Sequence, residues 1–444
     1  LSNKTSSNTT LTMPESDIFV AAKYEALKVA TDVTHYDYKL GINADNWNGE
    51  VRKPGHARGI KEMGVEFIVW HLSPEEEVDE NRLMELVEFS RNHGCAYLFN
   101  TELANYVPDV PYFKHSDGTY RYDLNKSTLE KLKNDPLFLG VVYDEPMLMQ
   151  SMNGVVHNEK AIPPYFYQTK DLNAYQAHDE VVAAIRDLSD FYDAYGKKMV
   201  FEMVFPDYAH PAARGGATLA PKLLKENFND LMLMVYSGAA RQYQQNELWA
   251  CVDLWFLDRF PLGGEGGEGY HSPDELYKTM IYTFEQGFDW VYVEHAKGLF
   301  NKDFSELTEY GKALIKFNEW RKGKTPGSWR SITPAKTVRR FPSGGWGQKY
   351  NWFIPDHPYG SWIKHPKIQK ADKTWMELLN QLSSGMVPDD ALTWNAVSHP
   401  ILSKQSYTPL AGLPSIGVVD HYGSPGLLDD KNFVDLVPPE AKKE

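Results

Sequence analysis

Residues 78–102 read VDENRLMELVEFSRNHG followed by CAYLFNTE. In the first part Leu83, Leu86, Val87 and Phe89 fall on one helical stripe, and Gly94 suits a left-handed C-cap. The second part is a short, near-continuous apolar run ending in polar residues. Strands buried on both faces of a parallel sheet have that texture. Together they form half of a βα repeat, and the repeat recurs along the chain. Apolar runs lie at 37–43 (DYKLGIN), 65–71 (VEFIVWH), 138–145 (FLGVVYDE), 198–205 (KMVFEMVF), 231–236 (LMLMVY), 252–258 (VDLWFLD) and 290–295 (WVYVEH). Helical segments separate them. Residues 178–196 end in Gly196, and residues 272–287 open on Ser272-Pro273, an N-cap with Pro at the first helical position. Eight strands predict an α/β fold, a (β/α)8 TIM barrel. A doubly wound open sheet is the rival, but it would place a Gly-rich phosphate turn after strand one, and none stands there.

The chain has 444 residues, which allows about three domains at a typical domain size. The βα alternation reduces this to a polar lead-in (1–30), a catalytic barrel (31–323) and an extension or small domain (324–444). The extension is rich in Trp, Pro and Gly. It holds Trp329, Trp346, Trp352, Trp362, Trp375 and Trp394, half of the 12 tryptophans, and a single clear helix near 371–384.

A net charge of −14 argues against nucleic acid or an anionic membrane as partner, since both need a basic face. No run approaches the ~18 apolar residues of a membrane span. Cys95 and Cys251 sit in apolar runs and read as buried free thiols. The small polar opening LSNKTSSNTTLT reads as a tether left after processing, so an exported or cell-surface protein is expected. Triplets at Asn3, Asn8 and Asn125 fit the glycosylation pattern, which is common by chance. Aromatic residues make up 13% of the chain, and flat rings with polar edges suit stacking on sugar faces.

Barrel chemistry sits at the C-terminal ends of the strands. The predicted ends carry Asn43 with Asp45, His71, Asn100 with Glu102, Asp144 with Glu145, Glu202, Tyr236, Asp258, and Glu294 with His295. Carboxylates recur from strand three onward. Such a ring fits glycosidic chemistry, in which one carboxylic acid protonates the leaving oxygen and another group stabilises or attacks the oxocarbenium-like centre. Asn43, Asp45 and His71 are expected to hydrogen-bond sugar hydroxyls, and Asn100, Glu102, Glu202 and His295 are further candidate substrate-binding residues. Trp47, Trp70, Tyr106, Tyr143, Tyr236 and Tyr292 are candidate sugar platforms, with core packing as the competing reading for each.

The sharpest element is Gly140-Val141-Val142-Tyr143-Asp144-Glu145-Pro146. Adjacent strand residues point to opposite faces, so Asp144 and Glu145 share a direction only where the strand ends. Pro146 should hold Glu145 extended. This ending resembles the strand-four motif of (β/α)8 glycoside hydrolases. In their large retaining clan the motif is Asn-Glu-Pro with Glu as acid/base. An Asp-Glu pair is similar to the hexosaminidase-type families, where Asp orients a substrate acetamido group. The resemblance implies Glu145 as proton donor. For the second carboxylate Glu294 ranks ahead of Asp144 and Asp258, with the choice depending on which strand is seventh, and Glu202 on strand five is a third candidate.

The stretch Gly264-Glu265-Gly266-Gly267-Glu268-Gly269 matches a dinucleotide fingerprint in form only. It follows a late strand, and its acids would repel phosphate, so it reads as a loop over the mouth. No cofactor or metal is expected. A metal-dependent barrel would need more strand-end histidines than His71 and His295. The expectation is therefore a glycoside hydrolase acting on a poly- or oligosaccharide, with a noncatalytic carbohydrate-binding barrel as the alternative.

Overall fold

The structure is a computed structural model that describes residues 38–72, 80–101, 124–146, 174–203, 209–224, 229–254, 271–331, 333–338 and 416–421. The lead-in, the loop at 264–269, Glu102, Tyr106, Asp258, the helix expected near 371–384 and the tryptophans beyond Trp329 lie outside these residues.

Eight parallel strands close into a barrel in sequence order. They are β1 (Lys39–Ala44), β2 (Phe67–His71), β3 (Ala96–Asn100), β4 (Phe138–Asp144), β5 (Lys198–Met203), β6 (Thr218–Leu223), β7 (Trp249–Val252) and β8 (Trp290–Val293). The helices are α1 (Pro54–Glu62), α2 (Glu80–His93), α3 (Lys126–Leu132), α4 (Ala174–Asp193), α5 (Ala209–Arg214), α6 (Asn229–Gln242), α7 (Pro273–Gln286) and α8 (Glu309–Arg321). The (β/α)8 barrel expected from the repeat is therefore present. Local chemistry sets the helix ends. Ser272 and Glu275 form a capping box at the start of α7, Pro273 occupies its first turn, and Gly287 closes it at φ 83°. Asn125 caps α3 by accepting from the Ser127 amide.

Two strand assignments needed correction. The run LMLMVY lies within α6, where Leu233, Val235 and Tyr236 are buried. A helix covered on several sides is apolar all round, and periodicity cannot separate such a segment from a buried strand. The sixth strand is instead TLAPKL, whose Pro221 and Lys222 read as loop residues. The seventh strand ends at Val252, with Asp253 directly after it.

Inside the barrel Phe67, Val69, Leu98, Val142, Val200, Ala220, Trp249, Cys251 and Tyr292 pack as an inner core. The alternate residues pack outward against the helices. Trp249 stacks on Trp290 at 4.9 Å between ring centroids, with the Phe67 edge against both, and this closes the bottom. Gly41 makes room for that ring, since a Cβ there would lie 2.4 Å from Phe67.

On β4 the register shifts opposite Tyr97 and Leu98. Phe138 faces outward and Leu139 inward, and Leu139 is the extra residue, with Gly140 back in register opposite Leu98. Val142 then faces inward with Tyr143 outward, so Asp144 ends the strand on the inner face. Without this bulge the parity would reverse, and Tyr143 would point into the barrel. Gly140 has φ 144° and passes close to β5, a position only glycine fits.

Past α8 the chain packs under the barrel. Trp329 is buried and donates through Nε1 to Asp289 at 2.9 Å. Residues Thr333–Val338 (β9) and Ile416–His421 (β10) pair in parallel. Cys95 and Cys251 are both free and buried. Among the described residues no helix is long and apolar enough to cross a membrane.

Candidate active site

The inner face at the C-terminal end of the barrel is polar. It carries Asn43 (β1), Asn100 (β3), Asp144 (β4), Glu202 (β5), Lys222 (β6) and, just past their strands, Glu145, Asp253 and Glu294. The last three are pinned by the backbone. The Glu145 amide donates to the Glu202 carbonyl at 2.8 Å, Asp253 to Leu223 at 2.9 Å, and Glu294 to Val252 at 2.9 Å. The ladder therefore extends one residue beyond each strand and fixes where these carboxylates start.

Lys222 stands at the centre. Its Nζ lies 2.8 Å from Glu294, 2.9 Å from Glu145 and from Glu202, 3.0 Å from Asp144 and 3.5 Å from Asp253. All six side chains are 2% exposed or less. An ammonium has three protons, so at least two of these oxygens feel its charge without an N–H aimed at them. Asn100 donates to Asp144 Oδ2 at 2.9 Å, Tyr292 donates to Glu202, and the Cys251 thiol donates to Glu294 at 3.4 Å.

Glu145 reaches the cluster by leaving the strand at φ 46°. This corrects the extended geometry expected from Pro146. The left-handed turn swings its carboxylate to the face that Asp144 already occupies. Strain of this kind, in a non-glycine residue, accumulates at functional sites.

Five carboxylates around one cation cannot all be ionised cheaply in a dry site. Burial, with the neighbouring Asp144 charge, pushes Glu202 up to about 8 against the pull of Lys222 and Tyr292. Burial and then Asp253 raise Glu294 well above the usual carboxylate range. Burial alone would lower Lys222, but Asp144, Glu145, Glu202 and Glu294 outweigh it and keep the ammonium charged. Burial raises Cys251, and the carboxylates Glu202 and Glu294 reinforce that, so the group is a thiol. Glu202, Cys251 and Glu294 offer ligand atoms within 4.8 Å of one another, a spacing a metal ion could use. Lys222 already supplies positive charge between the two carboxylates.

A second group lies beside β1 and β2. Burial opposes ionisation of Asp45, but His71 at 3.5 Å and Lys297 at 3.0 Å outweigh it and hold the carboxyl below its usual range. Lys297 also sits 4.4 Å over the ring of Trp47, which is 42% exposed. The Asn43 amide is buried, and neither its nitrogen nor its oxygen has a hydrogen-bond partner. His295 follows β8 at φ 64° and is half-buried.

No family model and no curated protein matches the chain in sequence. Among solved structures it is similar to the catalytic module of a family 98 glycoside hydrolase from Streptococcus pneumoniae in complex with the H-disaccharide blood group antigen. Identity there is 10% over 92% of this chain and 67% of that one, with a TM-score of 0.47. For the native form of that module the values are 12%, 69%, 55% and 0.41, so the chain spans about half of it. A 3-keto-D-glucoside 4-epimerase from E. coli is similar over 64% of this chain and all of that one, at 11% identity and a TM-score of 0.35. A (β/α)8 barrel hosts unrelated chemistries, so function has to come from the residues at its mouth.

Sequence reasoning named Glu145, Asp144, Glu202 and Glu294, which the structure brings together. It also named Asn43, Asp45, Trp47, His71 and His295 at the same end of the barrel. Four of the candidate platforms take the competing reading, core packing. Trp70 faces outward and donates to Ser90 on α2 at 2.8 Å. Tyr143 faces outward against Tyr192 of α4. Tyr236 belongs to α6. Tyr292 points inward beneath the carboxylates as a donor. None of these four presents a ring face at the mouth. Asn100, expected to bind substrate, donates to Asp144. Lys222 and Asp253 escaped notice because strand six was misplaced and strand seven was set too late, and Cys251 was read only as a buried thiol. The alternation Thr218, Ala220, Lys222 against Leu219 and Leu223, following Gly215-Gly216, was the available signal.

Proposed function

We propose that the protein hydrolyses glycosidic bonds in a poly- or oligosaccharide, with Glu145 and Glu294 as the reacting carboxyl pair. The observation that carries this reading is their shared contact with Lys222 at the barrel mouth. Both oxygens lie within 2.9 Å of one Nζ, so their separation is bounded at twice that, about 5.8 Å. Retaining glycosidases hold their carboxyls about 5–5.5 Å apart, whereas inverting ones need about 6.5–9.5 Å for a water. The bound favours the retaining spacing.

In this scheme Glu145 delivers a proton to the leaving oxygen and Glu294 works on the opposite side of the sugar ring. A proton is already stored in the cluster, because burial and the neighbouring Asp144 raise Glu202 to about 8, while Glu294, itself raised, must pass its proton to a neighbouring carboxylate before it acts on the sugar. Asn100 fixes Asp144 beside Glu145, where it can orient a substrate polar group. The unpaired Asn43 amide can take sugar hydroxyls, and the exposed Trp47 ring offers a stacking face.

The test is turnover of a panel of aryl-glycosides and polysaccharides by the full chain and by Glu145→Gln. The variant should lose turnover by at least about 100-fold while still binding the sugar. A protein that binds sugars but cleaves none of them would be a carbohydrate-binding barrel instead.

A further inference from the structure

We propose that Lys222 is the built-in countercation of the barrel mouth, the positioning residue that fixes how many of the five surrounding carboxyls are ionised. The geometry carries this. One ammonium from β6 contacts acids from β4, β5, β7 and β8, and all of these groups are buried. The titratable groups facing it are Asp144 on β4 with Glu145 just past it, Glu202 on β5, Cys251 on β7 with Asp253 just past it, and Tyr292 on β8 with Glu294 just past it. Among the described residues, Lys297 and His71 pair with Asp45 on the β1 side. With every acid ionised the cluster would carry a large negative charge. With Lys222 present, part of it stays ionised and part holds protons, the two states that acid/base chemistry needs side by side.

A lysine nucleophile needs its ammonium destabilised, as in an apolar pocket. Here the surroundings do the reverse, so Lys222 acts through its charge and not through attack on a substrate carbon. The positioning role rests on the glycosidase reading, whereas the charge balance does not.

The experiment therefore has an arm without turnover. Thermal unfolding midpoints of the full chain are measured between pH 5 and 8.5 for the wild type, Lys222→Met, Lys222→Arg and the double variant Lys222→Met with Glu202→Gln. Loss of the cation should lower the midpoint far more at pH 8 than at pH 5, where protons replace it. The double variant, which removes one charge of each sign, should recover part of the loss at pH 8. An equal deficit at both pH values, or no recovery, would mean that Lys222 only fills space and would overturn the proposal. If Lys222→Met does not fold, recovery by the double or Arg variant decides in the same way. In the turnover arm, the kcat/KM profile of Lys222→Met should move up by about one pH unit or more, with Lys222→Arg restoring it. An unmoved profile contradicts the positioning role. Absence of turnover in the wild type removes the glycosidase reading but leaves the stability result standing.

Discussion

Gly140 approaches Lys198 so closely that a Cβ at Gly140 would lie 2.0 Å from the Lys198 carbonyl oxygen. That close pass directly follows the bulge against β3 that turns Asp144 inward. Gly140→Ala combines the clash with a positive φ and should cost about 4 kcal/mol or prevent folding. Chemical denaturation measures this. A loss under about 1 kcal/mol would show that β4 does not depend on the bulge.

Glu202 should give the protein a characteristic pH dependence. Its carboxyl is raised from 4.5 to about 8 in the fold. The native state therefore holds a proton that the unfolded chain releases. The stabilisation is full below pH 4.5 and is lost as pH rises through about 8. Glu202→Gln carries no such proton, so its stability should fall less between pH 5 and 8.5. Urea midpoints at the two pH values check the difference, and equal slopes in both proteins would refute it.

His56 should act in the opposite sense. It is enclosed by Phe89, Phe300 and Phe304, and burial lowers it from 6.5 to about 4. The native state sheds a proton that the unfolded chain keeps. Stability from this group is present above pH 6.5 and is lost toward pH 4, up to about 3 kcal/mol. His56→Leu should lose less stability than the wild type between pH 7 and 4.5 in the same measurement.

Asp289 ties the segment after the barrel to its underside. It accepts from the Leu248 amide at 2.8 Å and from Trp329 Nε1 at 2.9 Å. Asp289→Ala leaves both buried donors unpaired and should cost about 3 kcal/mol. Denaturant titration, with Trp fluorescence as the probe, measures the loss. A change within about 0.5 kcal/mol would mean that the anchor contributes nothing.

The barrel was legible because its repeat is written in hydropathy. Runs such as VEFIVWH and WVYVEH have no other comfortable home than a doubly covered strand. Both ends of α7 were legible too, since Ser272 and Pro273 act on its first turn and Gly287 on its last. Strand six was not, because a strand whose inner face must hold an ammonium is written TLAPKL, while the helix covering it is written LMLMVY. The left-handed turn at Glu145 was hidden for a similar reason. Its ion pair with Lys222 joins residues far apart in sequence, and that contact overrides the local preference set by Pro146.

The division of labour between Glu145 and Glu294 is tested most directly with aryl-glycosides of graded leaving-group acidity. A substrate whose leaving group departs unaided needs no proton donor. Glu145→Gln should lose turnover on poor leaving groups and keep most of the first step on the best ones, whereas Glu294→Gln should lose turnover on all of them. Uniform activity of Glu145→Gln across the series, close to the wild type, would contradict its assignment as the proton donor.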